Sequence, residues 1–165
     1  MEIETLRKHF ESYLQRVAEG VRKRAGEGSR YPCPCCGYPT LPNRGEYDIC
    51  ELCNWEDDGQ DDPHADEVWG GPNRDYSLGE ARLNFKDHLV MYRPGDDTRI
   101  GGGDSETELQ AKKALMTCFM RIYQEHNETR LAGLWDEVKK HEATLDAELN
   151  GKIAEYEKKH GSPNK

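Results

Sequence analysis

Apolar residues are scarce in this sequence. Of its 165 residues, 35% are hydrophobic and only three are Phe, and the mean hydropathy is -1.01. No uninterrupted apolar run approaches the roughly twenty residues that cross a bilayer, so no membrane span is expected. A thin core cannot by itself offset the chain entropy lost on folding. We therefore expect a cross-link or long amphipathic helices to complete the fold.

An apolar signal segment is also missing, because the stretch from Met1 to Glu11 carries charges where such a segment would be apolar. This indicates a cytoplasmic protein. Six cysteines could form an extracellular disulfide set, but five of them fall between Cys33 and Cys53 in paired spacing, and Cys118 stands alone. That clustering favours a metal site in a reducing compartment over disulfides.

The cysteine spacing is the most specific signal in the chain. The string CPCCG at 33–37 and the string CELCN at 50–54 each hold a C-x-x-C pair, and enough chain separates them for a hairpin. Two such pairs form a tetrahedral four-thiolate site. Each pair makes a tight turn that ends on a residue with positive φ, which Gly37 and Asn54 tolerate. The predicted ligands of one structural zinc ion are Cys33, Cys36, Cys50 and Cys53.

The surroundings of these cysteines bear on the choice of metal. Iron would also accept four thiolates, but a redox iron site usually has an apolar, aromatic shell, whereas this segment is acidic, so zinc is preferred. Cys35 is a surplus thiol that could be an alternate ligand, a redox-active group or a small turn residue, and the last is the default prediction. Either indole of Trp55 and Trp69 could cover the sulfur atoms.

Negative charge is concentrated in the same segment. Between Tyr31 and Tyr76 there are two basic residues against eleven acidic ones, which accounts for the whole net charge of -9. Phosphate binding needs clustered Lys and Arg, so a nucleic-acid-binding zinc ribbon is a weak alternative. The candidates for a second metal site or an acidic docking face are Asp57, Asp58, Asp61, Asp62 and His64. Their spacing fits neither an EF-hand loop nor H-E-x-x-H. A third reading is a solvated loop whose carboxylates pair with Arg74 or Arg82.

Apolar residues at steps of three and four predict helices on both sides of the cysteines, from about Glu2 to Ala25, from Leu78 to about Tyr92, and after Asp104. A short strand over Glu46 to Ile49 would belong to a hairpin between the cysteine pairs. The predicted class is α+β, mostly helical, with a small zinc-ribbon or knuckle hairpin module framed by amphipathic helices. Its segments are an N-terminal amphipathic helix (1–28), a zinc-binding module with the following helix (29–95) and a C-terminal helical region (104–160).

Four motifs occur in order between residues 31 and 88. They are YPCPCCG at 31–37, C-x-x-C-x-W-E-D-D at 50–58, G-G-P-N at 70–73 and S-L-x-E-A-R-x-N-F at 77–85. This series resembles the bacterial cysteine-rich CPCC family, in which Gly-Ala-Asn is usual where this chain has Gly-Pro-Asn. The resemblance implies a zinc module and no particular activity.

These features favour a zinc-binding protein-interaction module whose acidic face binds a basic protein partner, by analogy with an immunity protein or antitoxin. The alternative is a metal-dependent hydrolase or nuclease that uses the acidic residues between Asp57 and His64, but no nucleophile-and-base arrangement is evident. Catalysis is therefore not expected. The apolar stripe from Leu131 to Tyr156 could pack internally or form a homo-oligomer.

Overall fold

The computed structural model describes residues 2–18 and 30–161 and contains four α-helices, two short 3-10 helices (Asp62–His64 and Gly71–Asn73) and one two-stranded antiparallel sheet. The α-helices are α1 (Ile3–Ala18), α2 (Leu78–His88), α3 (Glu106–Gln124) and α4 (Glu128–His160), and the strands are β1 (Tyr31–Pro32) and β2 (Pro39–Leu41). The fold is α+β and mostly helical, as the sequence predicts. In the described part of the chain, no helix combines the length and apolarity needed to cross a membrane.

Helices α2 and α3 begin where the sequence predicts, because a serine caps each one. The Ser77 hydroxyl accepts a hydrogen bond from the backbone N–H of Glu80, and that of Ser105 accepts one from the N–H of Glu108. The Glu108 carboxylate also accepts from the N–H of Ser105, at 2.9 Å, which completes a capping box. These local hydrogen bonds satisfy amide groups that the first helical turn leaves without partners.

One helix ends earlier than predicted, and the predicted end of another lies outside the described residues. Helix α2 ends at His88 rather than near Tyr92, because Leu89 adopts a left-handed conformation with φ of 60°. The chain then turns towards the cysteines, where the backbone N–H of Met91 donates to the carbonyl of Cys53 at 2.8 Å. The predicted extension of the first helix to Ala25 lies outside the described residues.

The sheet lies at a different place from the predicted hairpin. Strands β1 and β2 pair across the first cysteine pair, whereas Ile49 makes only an isolated bridge with Glu56 across the second. A strand over Glu46 to Ile49 does not form. The reason is local, because Tyr47 has a φ of 63°, which interrupts an extended chain.

One continuous core joins the cysteine segment to the helices. Buried side chains from α1, α3 and α4 belong to the same hydrophobic cluster as the cysteines. The ring of Phe119 on α3 lies 6.3 Å from that of Phe10, 5.7 Å from that of Tyr38 and 6.2 Å from that of Trp135, measured between centroids. The three predicted segments therefore meet around shared aromatic packing.

Candidate metal centre

Both cysteine pairs form the same tight turn. In the first, the N–H of Gly37 donates to the carbonyl of Cys33 at 2.8 Å, and Gly37 has a φ of 83°. In the second, the N–H of Asn54 donates to the carbonyl of Cys50 at 2.9 Å, and Asn54 has a φ of 67°. The two positive-φ positions are those that the sequence predicts. Gly37 is further restricted, because a Cβ there would lie 3.1 Å from the carbonyl oxygen of Ile3.

These turns bring four sulfur atoms together. The four-cysteine cluster consists of Cys33, Cys36, Cys50 and Cys53, whose sulfur atoms all lie within 4.8 Å of one another. The Sγ atoms of Cys33 and Cys53 are 3.6 Å apart, and those of Cys36 and Cys50 are 3.7 Å apart. A tetrahedral ion with metal–sulfur bonds of about 2.3 Å places its ligands about 3.8 Å apart. Two of the six sulfur–sulfur distances match this spacing, and the cluster could therefore hold a metal ion.

Burial makes a cation necessary if these cysteines are to act as thiolates. All four are at most 1% exposed. Burial raises the pKa of the thiols of Cys33, Cys36 and Cys53 well above the ordinary value. Burial also acts to raise the pKa of Cys50, but hydrogen bonds from the other three cysteines outweigh it and lower that pKa. Four buried thiolates would repel one another, and a divalent cation would remove that cost.

Thr40 is a site residue that the sequence analysis missed. Its Oγ1 lies 2.9 Å from the Sγ of Cys50, and a threonine hydroxyl donates to a thiolate. Such donors orient ligands and reduce the charge density on sulfur. No spacing rule identifies a threonine ten residues before a ligand, because β2 brings it there through tertiary structure.

Cys35 lies beside the cluster without joining it. Its side chain is fully buried. Its backbone N–H points at the Sγ of Cys33, at 3.4 Å. Burial raises the pKa of the Cys35 thiol, which disfavours its use as a nucleophile or redox group. The role of a small turn residue stays the prediction.

The shell around the sulfur atoms is apolar rather than acidic. Trp55 is fully buried in the core that contains the cysteines, together with Leu41 and Leu52. Trp69, the other candidate, is 47% exposed and lies with its ring centroid 5.6 Å from that of His64. The acidic surroundings predicted from the sequence therefore do not extend to the cluster itself, and the preference for zinc over iron on the basis of an acidic shell is wrong.

The acidic residues form a loop of their own, residues 57–64, which we call the acidic loop. Asp57 is fully buried, and its carboxylate accepts hydrogen bonds from the Nε of Arg44 and the N–H of Gly45, both at 2.8 Å. Asp61 accepts from Arg7 and Arg44. Partial burial acts to raise the pKa of Asp61, but these hydrogen bonds outweigh it and lower that pKa to about 2.

Arginines from two helices hold the outer part of the acidic loop. Asp62 pairs with Arg7 of α1 at 3.1 Å and with Arg82 of α2 at 2.6 Å. Arg82 is thus one of the predicted partners, whereas Arg74 pairs with Asp96 instead. Three arginines from separate parts of the chain therefore fix the loop.

The remaining candidates do not converge on a second ion. Asp58 accepts a hydrogen bond from the N–H of Gln60 within the loop, and His64 pairs with Glu67 at 2.9 Å. Among residues 2–18 and 30–161, the four-cysteine cluster is the only group of three or more His, Cys, Asp or Glu side chains close enough to hold a metal ion. The geometry thus separates one compact donor set from a loop stabilised by ion pairs.

Residues 31–96 match the family model described as Cysteine-rich CPCC. The match contains the four-cysteine cluster, the acidic loop and α2, and it reaches beyond His88, where the motifs in the sequence end. Helices α1, α3 and α4 lie outside it. A comparison with curated proteins and one with solved structures each returned no match. The family description names the cysteines and no activity, so the function is argued from the site.

Proposed function

We propose that this protein is a zinc-binding protein-interaction module of the cytoplasm. One structural Zn²⁺, held by the four-cysteine cluster, cross-links the two cysteine turns within the core, and carboxylates on the outer surface bind a basic protein partner. The observation that carries the metal site is the set of four buried sulfur atoms that lie within 4.8 Å of one another. All six cysteines are free thiols, which accords with a reducing compartment.

The closed character of the cluster favours a structural zinc over a catalytic one. Four protein ligands leave no open coordination position, which is the pattern of structural zinc sites. Iron accepts four thiolates in the same geometry, so the metal content of the purified protein distinguishes zinc from iron.

Elemental analysis tests the metal. We expect protein purified without added metal to contain about one zinc per chain, because four thiolates bind zinc tightly at neutral pH. Iron should be far below stoichiometric, and the solution should be colourless. A red protein with one iron per chain would refute the structural zinc and show that the cluster is a redox iron site.

Exposed carboxylates that form no ion pair within the protein support a basic protein partner. The acidic loop is largely neutralised by Arg7, Arg44 and Arg82, but Glu46 and Asp66 are exposed and have no cation within 4 Å among the described residues. Asp62 is paired yet its side chain stays 60% exposed. We call Glu46, Asp62 and Asp66 the acidic face. Asp57 is buried and cannot contact a partner, so it is not part of this face.

Association kinetics with a partner recovered from the host tests this face. Neutralising Glu46 or Asp66 alone should slow association modestly, and neutralising both should slow it further, because exposed charges act by long-range steering. Added salt should have the same effect on the wild type. Asp136→Asn, an exposed change on α4, is the control and should leave the rate unchanged.

The hydrolase alternative predicts a different pattern. A single change such as Asp58→Asn should then abolish an activity outright, and calorimetry should show saturable Mn²⁺ binding beyond the zinc. That result would overturn the interaction module.

A further inference from the structure

A cleft of about 610 Å³ lies between the second cysteine turn and the C-terminal helices. The cysteine segment lines it with Ile49, Cys50 and Glu56, the loop before α3 with Ile100, and helix α4 with Asp146 and Leu149. This is the seam between the family-matched segment and the helices outside the match. Concave seams between packed units are common binding sites, and the volume lies in the range of sites that hold ligands or side chains.

Large aliphatic side chains are exposed in this cleft. Ile49 is 56% exposed, Ile100 is 40% exposed and Leu149 is 47% exposed. Isolated exposed apolar residues are ordinary on protein surfaces, but three that line one concavity form a patch that a partner can cover.

The positive charges in the walls of the cleft are already neutralised. The ion pairs are Arg99 with Asp97 and Asp104, Lys112 with Asp104, and Lys152 with Glu108. Lys112 is only 2% exposed, so it cannot meet a ligand without leaving Asp104. Three cations face three carboxylates, and this network contributes no net charge to the cleft.

Three further acidic side chains in the cleft have no such partner, and one of them, Glu51, carries no charge, because burial and the neighbouring Glu142 raise its pKa to about 10. Glu56 and Asp146 both line it, and neither has a cationic side chain within 4 Å in the described part of the chain. Cys50 lies in the same wall, and four thiolates around Zn²⁺ would carry a net charge of about -2 there. The cleft is therefore both apolar and negative.

We propose that this cleft docks a segment of the partner protein that carries both aliphatic and basic side chains. An aliphatic side chain would cover Ile49, Ile100 and Leu149, and a lysine or arginine would pair with Glu56 or Asp146. The inference rests on the proposed function, because it assumes a protein partner with a basic surface. It adds a specific groove, with an apolar anchor, to long-range attraction by the acidic face.

Fluorescence anisotropy with a labelled synthetic peptide of alternating leucine and lysine pairs tests the cleft, with the full-length zinc-loaded protein. Two control peptides replace every leucine by serine or every lysine by glutamate. We expect the leucine-lysine peptide to bind and both controls to bind far more weakly. Binding that is equally strong for the serine peptide would show general charge attraction and would overturn the proposal.

Matched variants locate the binding. Leu149→Ser should weaken binding about tenfold, the effect of losing one buried leucine contact. Leu83→Ser removes a leucine that is 64% exposed on α2 outside the cleft, and it should leave binding within about twofold of the wild type. Asp146→Asn should weaken binding several-fold, whereas Asp136→Asn, on the same helix, should not. All four sites are partly or fully exposed, so folding should be preserved.

The outcomes separate this inference from the proposed function. If Leu149→Ser and Asp146→Asn bind like the wild type while neutralising Glu46 and Asp66 weakens binding, the cleft is wrong and the acidic face stands. If no basic peptide binds to the zinc-loaded protein, both the cleft and the basic partner are wrong. Loss of binding in the two cleft variants alone supports the cleft.

Discussion

Cys50→Ser is expected to lose stoichiometric metal and to melt far below the wild type. A serine hydroxyl is a poor zinc ligand, and the three remaining thiolates would leave the site open to water. The lost sulfur is fully buried between Thr40 and Cys36 in the continuous core. Structural zinc contributes apparent binding energies of about 10–16 kcal/mol, so its loss should cost more than any single core substitution.

Elemental analysis and thermal unfolding followed by circular dichroism measure both effects. Cys35→Ser and Cys118→Ser are the controls, since Cys35 lies outside the four-cysteine cluster and Cys118 is on α3. Both controls should keep one metal ion per chain. Full metal content in Cys50→Ser would refute the cluster as the site, and loss of metal in Cys35→Ser would make Cys35 a ligand.

The cysteine turns could be predicted because they are local. Gly37 lies four positions after Cys33, and Asn54 lies four positions after Cys50, so each turn is formed by five consecutive residues. The helix caps at Ser77 and Ser105 are local for the same reason. Each of these features depends on hydrogen bonds that close within one turn of chain, which a motif can encode.

Other parts of the site depend on contacts between distant residues. The backbone N–H of Met91 donates to the carbonyl of Cys53, 38 positions earlier in the chain. This hydrogen bond forms just after α2 ends at His88, earlier than predicted. Thr40 reaches Cys50 only because β2 folds back across the first cysteine pair. No characteristic spacing or periodicity in the sequence marks either contact, so the sequence alone could not predict it.

The acidic loop shows why a charge count cannot locate an interaction face. Eleven carboxylates in one segment suggest a uniformly acidic surface when only that segment is counted. Arg7, however, lies 54 positions before Asp61, and Arg82 lies 20 positions after Asp62. Tertiary structure turns part of the apparent face into an internal network and leaves Glu46 and Asp66 outside it.

Two aspartates of the acidic loop are therefore expected to respond differently to the same change. Asp57→Asn should lower the free energy of unfolding by about 3 kcal/mol, because it breaks a buried charge pair with Arg44. The neutral amide would also replace the charged carboxylate that accepts a hydrogen bond from the Gly45 N–H. Asp62→Asn should cost less than about 1 kcal/mol, since its side chain is 60% exposed and such ion pairs contribute little.

Urea unfolding of the zinc-loaded variants compares the two free energies directly. The zinc content should stay at one per chain in both, because neither aspartate belongs to the four-cysteine cluster. Equal, small losses for the two variants would mean that Asp57 is solvated like Asp62, and Asp57 would return to the acidic face. A large loss of unfolding free energy in Asp57→Asn alone would show that the Asp57 carboxylate stabilises the loop. The two aspartates belong to the same loop, so the difference would come from the burial of Asp57.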